Sequence, residues 1–268
     1  MIRSPFRDLP REVSILVAAS FFVAVGFGIV MPAIPVFAKS FKVNNAAIGL
    51  MVSAFAITRF ASGLISGTLV DKFGERKVFS TGVFMVSLFT FLAGVAQNYE
   101  QLLFFRAAGG LGSSMFSVAA SSVILRSVSD DQRGQAQSVY QGSFIVGGMA
   151  GPAIGGLLSV ISLRAPFFVY SILLFCSGLV ALFFLKGDSI GVKKQNQGDE
   201  AATTIREALA MPAYRIALVL AFIGTWVFFG MRASILPVFV TEKLNSTTAV
   251  VGYGFAISAI VQGAILLK

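Results

Sequence analysis

Hydrophobic residues in this chain run in long unbroken stretches rather than in alternation. Such runs cover about 13–37, 46–70, 78–97, 101–125, 139–162, 166–185, 214–240 and 249–267. Each is close to the ~20 residues that a helix needs to cross a bilayer. Their continuity differs from the alternating pattern of membrane barrel strands. The pattern predicts eight transmembrane helices. Between the second and third lies a short charged turn, Gly67-Thr68-Leu69-Val70-Asp71-Lys72-Phe73-Gly74-Glu75-Arg76-Lys77. Its bracketing glycines permit a sharp reversal and close helix approach. One longer polar connection, about 186–213, ends in Thr203-Thr204-Ile205-Arg206-Glu207-Ala208-Leu209, which reads as a short amphipathic helix on the membrane surface. Three parts follow: a six-helix bundle over 1–185, a central loop over 186–213, and the start of a second bundle over 214–268.

Composition makes this an all-α membrane protein. The 268 residues are 56% hydrophobic and 12% charged, where soluble domains carry about 25% charged residues; mean hydropathy is +0.84. The net charge of +9 would suggest nucleic acid if the cations clustered, but they follow topology instead. Thirteen lysines and arginines fall in the N-terminus and the even-numbered connections, against four (Lys39, Lys42, Arg164 and Lys243) on the opposite side. The positive-inside rule places the N-terminus and the 67–77 turn in the cytoplasm. The chain has one cysteine, Cys176, and so no intrachain disulfide; it has no histidine, and so no imidazole chemistry. No nucleophile–base pair, metal cluster or phosphate loop is present, which argues against an enzyme and implies neither metal nor cofactor.

The chain also repeats itself weakly. Ile34-Pro35-Val36-Phe37 reads like Leu236-Pro237-Val238-Phe239, and Ala46-Ala47-Ile48-Gly49-Leu50 like Ala249-Val250-Val251-Gly252-Tyr253. Repeated halves are a signature of secondary transporters. On this reading the counterpart of the 67–77 turn begins just beyond Lys268, and the chain is cut short by about four helices.

Four stretches, in order, resemble the major facilitator superfamily and its drug:proton antiporter-like exporters. The 67–77 turn fits G-x-L-a-D-r-x-G-r-k, with Glu75 at a position usually basic. The first span ends Gly26-Phe27-Gly28-Ile29-Val30-Met31-Pro32-Ala33-Ile34-Pro35, fitting G-x5-P-v-x-P. The fourth opens Leu102-Leu103-Phe104-Phe105-Arg106-Ala107-Ala108-Gly109-Gly110-Leu111-Gly112, fitting L-x3-R-x2-q-G-x-G with Gly109 in place of the common glutamine. The fifth contains Gly147-Gly148-Met149-Ala150-Gly151-Pro152-Ala153-Ile154-Gly155-Gly156, fitting the antiporter motif G-x3-G-P-x2-G-G. The resemblance implies two six-helix bundles around a cavity, of which this chain holds the first and two helices of the second. It implies proton-coupled efflux of small amphiphilic molecules, with a protein of this kind working as a monomer in a bacterial inner membrane. By resemblance the 67–77 loop latches the cytoplasmic gate through Gly67, Asp71, Gly74 and Arg76, with Arg126 as partner, and Gly147, Gly151, Pro152, Gly155 and Gly156 seal the route.

Three arginines fall inside spans: Arg59, Arg106 and Arg232. Each costs roughly 2.5–3.5 kcal/mol to insert, so each faces the bundle interior or a wet cavity unless it snorkels; Arg59 could instead cap carbonyls of another helix. None of the twelve acids lies in the middle of a span. Three embedded cations without an embedded acid fit an anionic, zwitterionic or neutral substrate better than a cation. The alternative function is therefore export of a metabolite, sugar or organic anion, unless a carboxylate lies in later helices; Asp71 and Glu242 are the proton-carrier candidates within the chain. Met31, Tyr140, Gln141, Phe144, Trp226 and Gln262 are the cavity candidates, polar groups in a span needing partners. The same aromatic residues serve equally well as packing or lipid-facing groups.

Overall fold

The computed structural model describes residues 10–185 and 205–227, with five isolated positions beyond them. The regular elements among the described residues are all helices, with no strand. The chain divides into two compact units, Met1–Val192 with Gln262–Lys268, and Lys193–Val261.

In the first unit, α1 (Arg11–Val30) and α2 (Ala33–Lys39) form one membrane-length stretch. The joint falls at Met31 and Pro32, where proline can open a turn but not continue one. Next come α3 (Asn45–Ala61), α4 (Gly63–Phe73), α5 (Glu75–Val95), α6 (Tyr99–Ser127), α7 (Arg133–Ile161) and α8 (Ala165–Phe184). These correspond to the first six hydrophobic runs. The second run is not one straight helix. It breaks at Ser62, and α3 and α4 meet at 46°. No proline is involved. Ser62 Oγ turns back to the Thr58 and Arg59 carbonyls, and Thr58 Oγ1 to those of Ala54 and Phe55. Such back-bonding loosens and bends helices.

Packing follows small residues. α1 lies against α7 and α8, α5 against α6 and α8, and α3 with α4 against α6. Gly82 of α5 and Gly112 of α6 meet backbone to backbone, where a Cβ at either would fall within 3 Å of the other helix. Hydroxyls stitch the interior: Ser87 Oγ donates to the Ser171 carbonyl and Ser177 Oγ to that of Ala19, both at 2.8 Å. Without a hydrophobic drive between helices in lipid, close packing and such bonds carry association. Phe79, Phe167, Leu16, Ile29 and Met51 are fully buried, while Phe60, Leu64, Val160, Ile161 and Phe183 project outward as an apolar surface.

Helix α5 is fastened at both ends by arginines on backbone carbonyls. Arg76 Nε donates to the Leu182 carbonyl in the last turn of α8, at 2.8 Å. Arg164 donates to the Gly94 and Ala96 carbonyls, each at 2.9 Å, and covers the Phe37 ring at 5.3 Å. A cation at a helix C-terminus satisfies orphan carbonyls and complements the dipole. At the end of the bundle opposite the 67–77 turn, Asn44 and Asn98 cap α3 and α6, and the Tyr99 hydroxyl donates to the Ala47 carbonyl at 2.7 Å.

In the second unit, α9 (Ile205–Ala210) occupies the stretch read as an amphipathic helix, and α10 (Pro212–Thr225) begins the seventh run. Arg232, Gln262, the central loop up to residue 204 and most of the second copy of the repeat lie outside the described residues.

Candidate functional site

The 67–77 stretch is a helix end followed at once by a helix start. Gly74 joins them at φ 82°, in the region glycine enters without strain. Of the two bracketing glycines, only this one shapes the turn. Gly67 lies within α4, and a Cβ there would meet nothing within 4 Å, so it makes no close approach among the described residues.

Arg126, near the end of α6, draws the charges of this turn together. Asp71 Oδ1 lies 3.4 Å from Arg126 Nη2, and the Asp71 side chain is 75% exposed. The closer partner is Glu75, the residue that departs from the motif. Its Oε1 is 2.7 Å from Arg126 Nη1, and its side chain is only 7% exposed. Ser122 Oγ donates to the same carboxylate oxygen at 3.0 Å. Ser122 and Arg126 are four residues apart and so share a face of α6. Arg76 turns away to α8 and joins neither acid. Sequence reasoning paired Arg126 with Asp71 and missed Glu75 and Ser122; the i,i+4 pair Ser122/Arg126 was the available signal.

The Gly147–Gly156 run forms the seam with α1. A Cβ on Gly147 would press on Ala24 and Val25, on Gly151 on the Gly28 backbone, and on Gly155 on the Ile29 carbonyl. Spacing of four puts these three glycines on one face. Gly156 lies off that face with nothing within 4 Å. The helix continues through position 152, where proline has no N–H for the Gly148 carbonyl four residues back. That carbonyl lies against Gly28: a Cβ on Gly28 would stand 3.0 Å from it.

A second charged group lies within the bundle. Arg106 is 7% exposed and therefore does not snorkel. Its guanidinium covers the Phe55 ring at 4.5 Å, a cation–π contact strengthened by desolvation. Its Nε has no hydrogen-bond partner, and no described acid reaches it. Gly110, one turn further on, lets α3 approach. A Cβ there would fall within 2.6 Å of the Phe55 carbonyl, and Thr58 Oγ1 crosses to the Ala107 carbonyl at 2.7 Å. Arg59 is exposed, one turn beyond Phe55 on α3, and caps no described carbonyl. Tyr170 lies within electrostatic reach of both arginines, and Tyr140 within reach of Arg59. Tyr170 and Phe55 were missed as members of this group, because only tertiary packing brings α8 and α3 to Arg106.

The cavity candidates divide. Tyr140 is buried beside Ser20, packed edge-on against Phe144 at 5.3 Å, so it does not line an open surface. Met31 and Gln141 are exposed in the first unit. Trp226, exposed, stacks on Phe222 in the second.

A bundle of long apolar helices, joined by short connections and packed through glycine and hydroxyl contacts, is a multi-pass membrane protein. This chain belongs to the Major Facilitator Superfamily, which matches residues 16–267. It is 25% identical to multidrug resistance protein 2 of Bacillus subtilis over 259 residues, 94% of this chain and 64% of that protein. It is 27% identical to multidrug resistance protein 1 of the same organism, over 88% of this chain and 60% of that one. With the quinolone resistance protein NorA of Staphylococcus aureus it shares 29% identity over 59% of this chain and 41% of NorA. The chain thus spans less than two thirds of these relatives' length. Its fold matches the human organic anion transporter MFSD10 at TM-score 0.76 and 17% identity, over 96% of this chain and 72% of that one. A peptide transporter, POT, matches at 0.63 and 16%, over 90% and 48%.

Proposed function

We propose that this chain supplies the N-terminal bundle of a secondary exporter that moves small amphiphilic molecules out of a bacterial cell in exchange for protons, by alternating access. The carrying observation is the α1–α7 seam, where Gly147, Gly151 and Gly155 of the exporter-type motif meet the backbone of α1. The similarity to bacterial multidrug resistance proteins supports the same reading. The distribution of lysine and arginine supports a cytoplasmic N-terminus. The turn at Asp71 then faces the cytoplasm. There Gly67, Asp71, Gly74, Arg76 and Arg126 form one side of a gate, with Glu75 holding Arg126 in place. Asp71, left largely in water, is free to engage a helix N-terminus when the gate closes, a contact worth roughly 0.3–1 kcal/mol or more when partly buried.

A second reading has its own observation. Arg59 and Arg106 lie in the bundle with no described acid beside them, which favours an organic anion over a cation. Both readings are tested in a bacterium lacking its main drug exporters, expressing the full-length protein. Ethidium efflux that stops on adding a protonophore is the expected result for the first. Efflux of an aromatic carboxylate with no ethidium efflux favours the second. No protonophore-sensitive efflux of either would refute proton-driven export of such molecules.

A further inference from the structure

We propose that Arg59 of α3 and Arg106 of α6, with Phe55 of α3 stacked on Arg106, form a subsite for the carboxylate of a small aromatic or amphiphilic organic anion. The inference rests on the organic-anion reading and gives it a place. Arg106 is more than nine-tenths buried, stacked on Phe55 at 4.5 Å, with its Nε unpartnered. A buried guanidinium without its hydrogen bonds is costly, and no described carboxylate offsets the charge. Arg59 is four residues from Phe55 and so on the same helix face, about 5–6 Å away at Cβ. It lies some fourteen residues into α3, a depth of roughly 20 Å at 1.5 Å per residue. A guanidinium that deep is costly against hydrocarbon, which favours a wet route at its exposed side. The two cations differ in a way that suits binding: Arg106 is fixed by packing, while Arg59 is free to close on an incoming anion. Guanidinium groups bind carboxylates through paired, charge-assisted hydrogen bonds. The Phe55 ring, stacked on Arg106, offers an apolar contact beside them.

The test is equilibrium binding to the purified full-length protein in detergent, with three matched probes: 2-naphthoate, neutral 2-naphthamide and cationic 2-naphthylmethylammonium. Naphthoate should bind at least about tenfold more tightly than naphthamide, as expected for a charge-assisted pair. Arg59→Gln should remove that preference, leaving naphthamide affinity unchanged, and Arg59→Lys should keep part of it. Arg106→Gln should do the same; retained naphthamide affinity shows that the variant has folded, and the exposed Arg59 carries the test if it has not. Equal affinity for naphthoate and naphthamide, tighter binding of the ammonium probe, or equal losses for all probes in Arg59→Gln would overturn the subsite. The assay needs no transport. Arginine-dependent naphthoate binding without naphthoate efflux would sink the organic-anion export reading and leave the subsite standing; efflux unaffected by Arg59→Gln would do the reverse.

Discussion

The two charged clusters of the first bundle differ in how their cations are held. At the 67–77 turn, Arg126 meets two carboxylates, Glu75 at 2.7 Å and Asp71 at 3.4 Å, and a serine completes the nearer acid. Within the bundle, Arg106 meets an aromatic face, and no described acid reaches it. The core of the first arrangement is self-sufficient: Arg126 of α6 and Glu75 of α5 satisfy each other. The second is incomplete, since a desolvated guanidinium retains unused donor capacity. A charge pair that closes on itself stabilises a structure. One left open costs stability and is available for a ligand. The comparison also separates Glu75 from Asp71 within the turn. Glu75 is spent on Arg126, while Asp71, three quarters exposed, is not.

Substitutions should act differently on the two clusters. The largest effect is expected at the α1–α7 seam, which places Tyr140 within electrostatic reach of Arg59 and lies apart from the turn cluster. Gly151→Val should drive a side chain into the Gly28 backbone and cost upward of about 3 kcal/mol, read as loss of monodisperse protein on size exclusion. Gly156→Val, with open space, should be tolerated. Next comes Glu75→Ala. Removing one partner of a buried pair costs roughly 3–5 kcal/mol; with Arg126 37% exposed, about 2 kcal/mol is expected in thermal unfolding. Pairing Glu75→Arg with Arg126→Glu should recover part of that loss. The inner cluster should respond in the opposite sense. Arg106→Met removes a charge that no described acid answers, at the loss of its contact with the Phe55 ring, and should raise stability by up to about 1 kcal/mol, while anion binding is lost. A destabilised Arg106→Met protein would mean that the Phe55 contact outweighs the cost of the buried charge. The smallest effect is expected for Asp71→Asn. An exposed ion pair is worth about 0–1 kcal/mol, so its melting temperature should barely move, whereas transport should fall if the carboxylate latches the gate.

Much of the fold was legible in hydropathy alone, because a membrane span needs only length and continuity. The first six runs each became one helical stretch or one broken pair. The break at Ser62 was not legible, since a serine or threonine in a span bends its helix only when its hydroxyl turns back on the backbone. The Asp71–Arg126 proximity followed from placing both at the same end of neighbouring spans. Glu75 escaped because helical spacing does not carry across the reversal at Gly74, and because reading it as a departure from a motif hid its use as a counter-charge. The glycine run announced a seam, and its four-residue spacing even marks the face. Tyr140 ranked as a cavity residue on polarity, yet packing buries it. The company of Arg106 depended on which helices meet, and nothing local encodes that α3 packs on α6 or that Tyr170 of α8 comes within electrostatic reach.

The proposed proton-coupled export can be measured in everted membrane vesicles holding the full-length protein, with a pH-reporting dye inside and a preformed acid interior. Addition of ethidium or 2-naphthoate should release protons from the vesicles only when the protein is present, and Asp71→Asn should slow that release without lowering the amount of protein in the membrane. Substrate accumulating in the vesicles with no movement of protons, at the same rate with and without the gradient, would contradict the account.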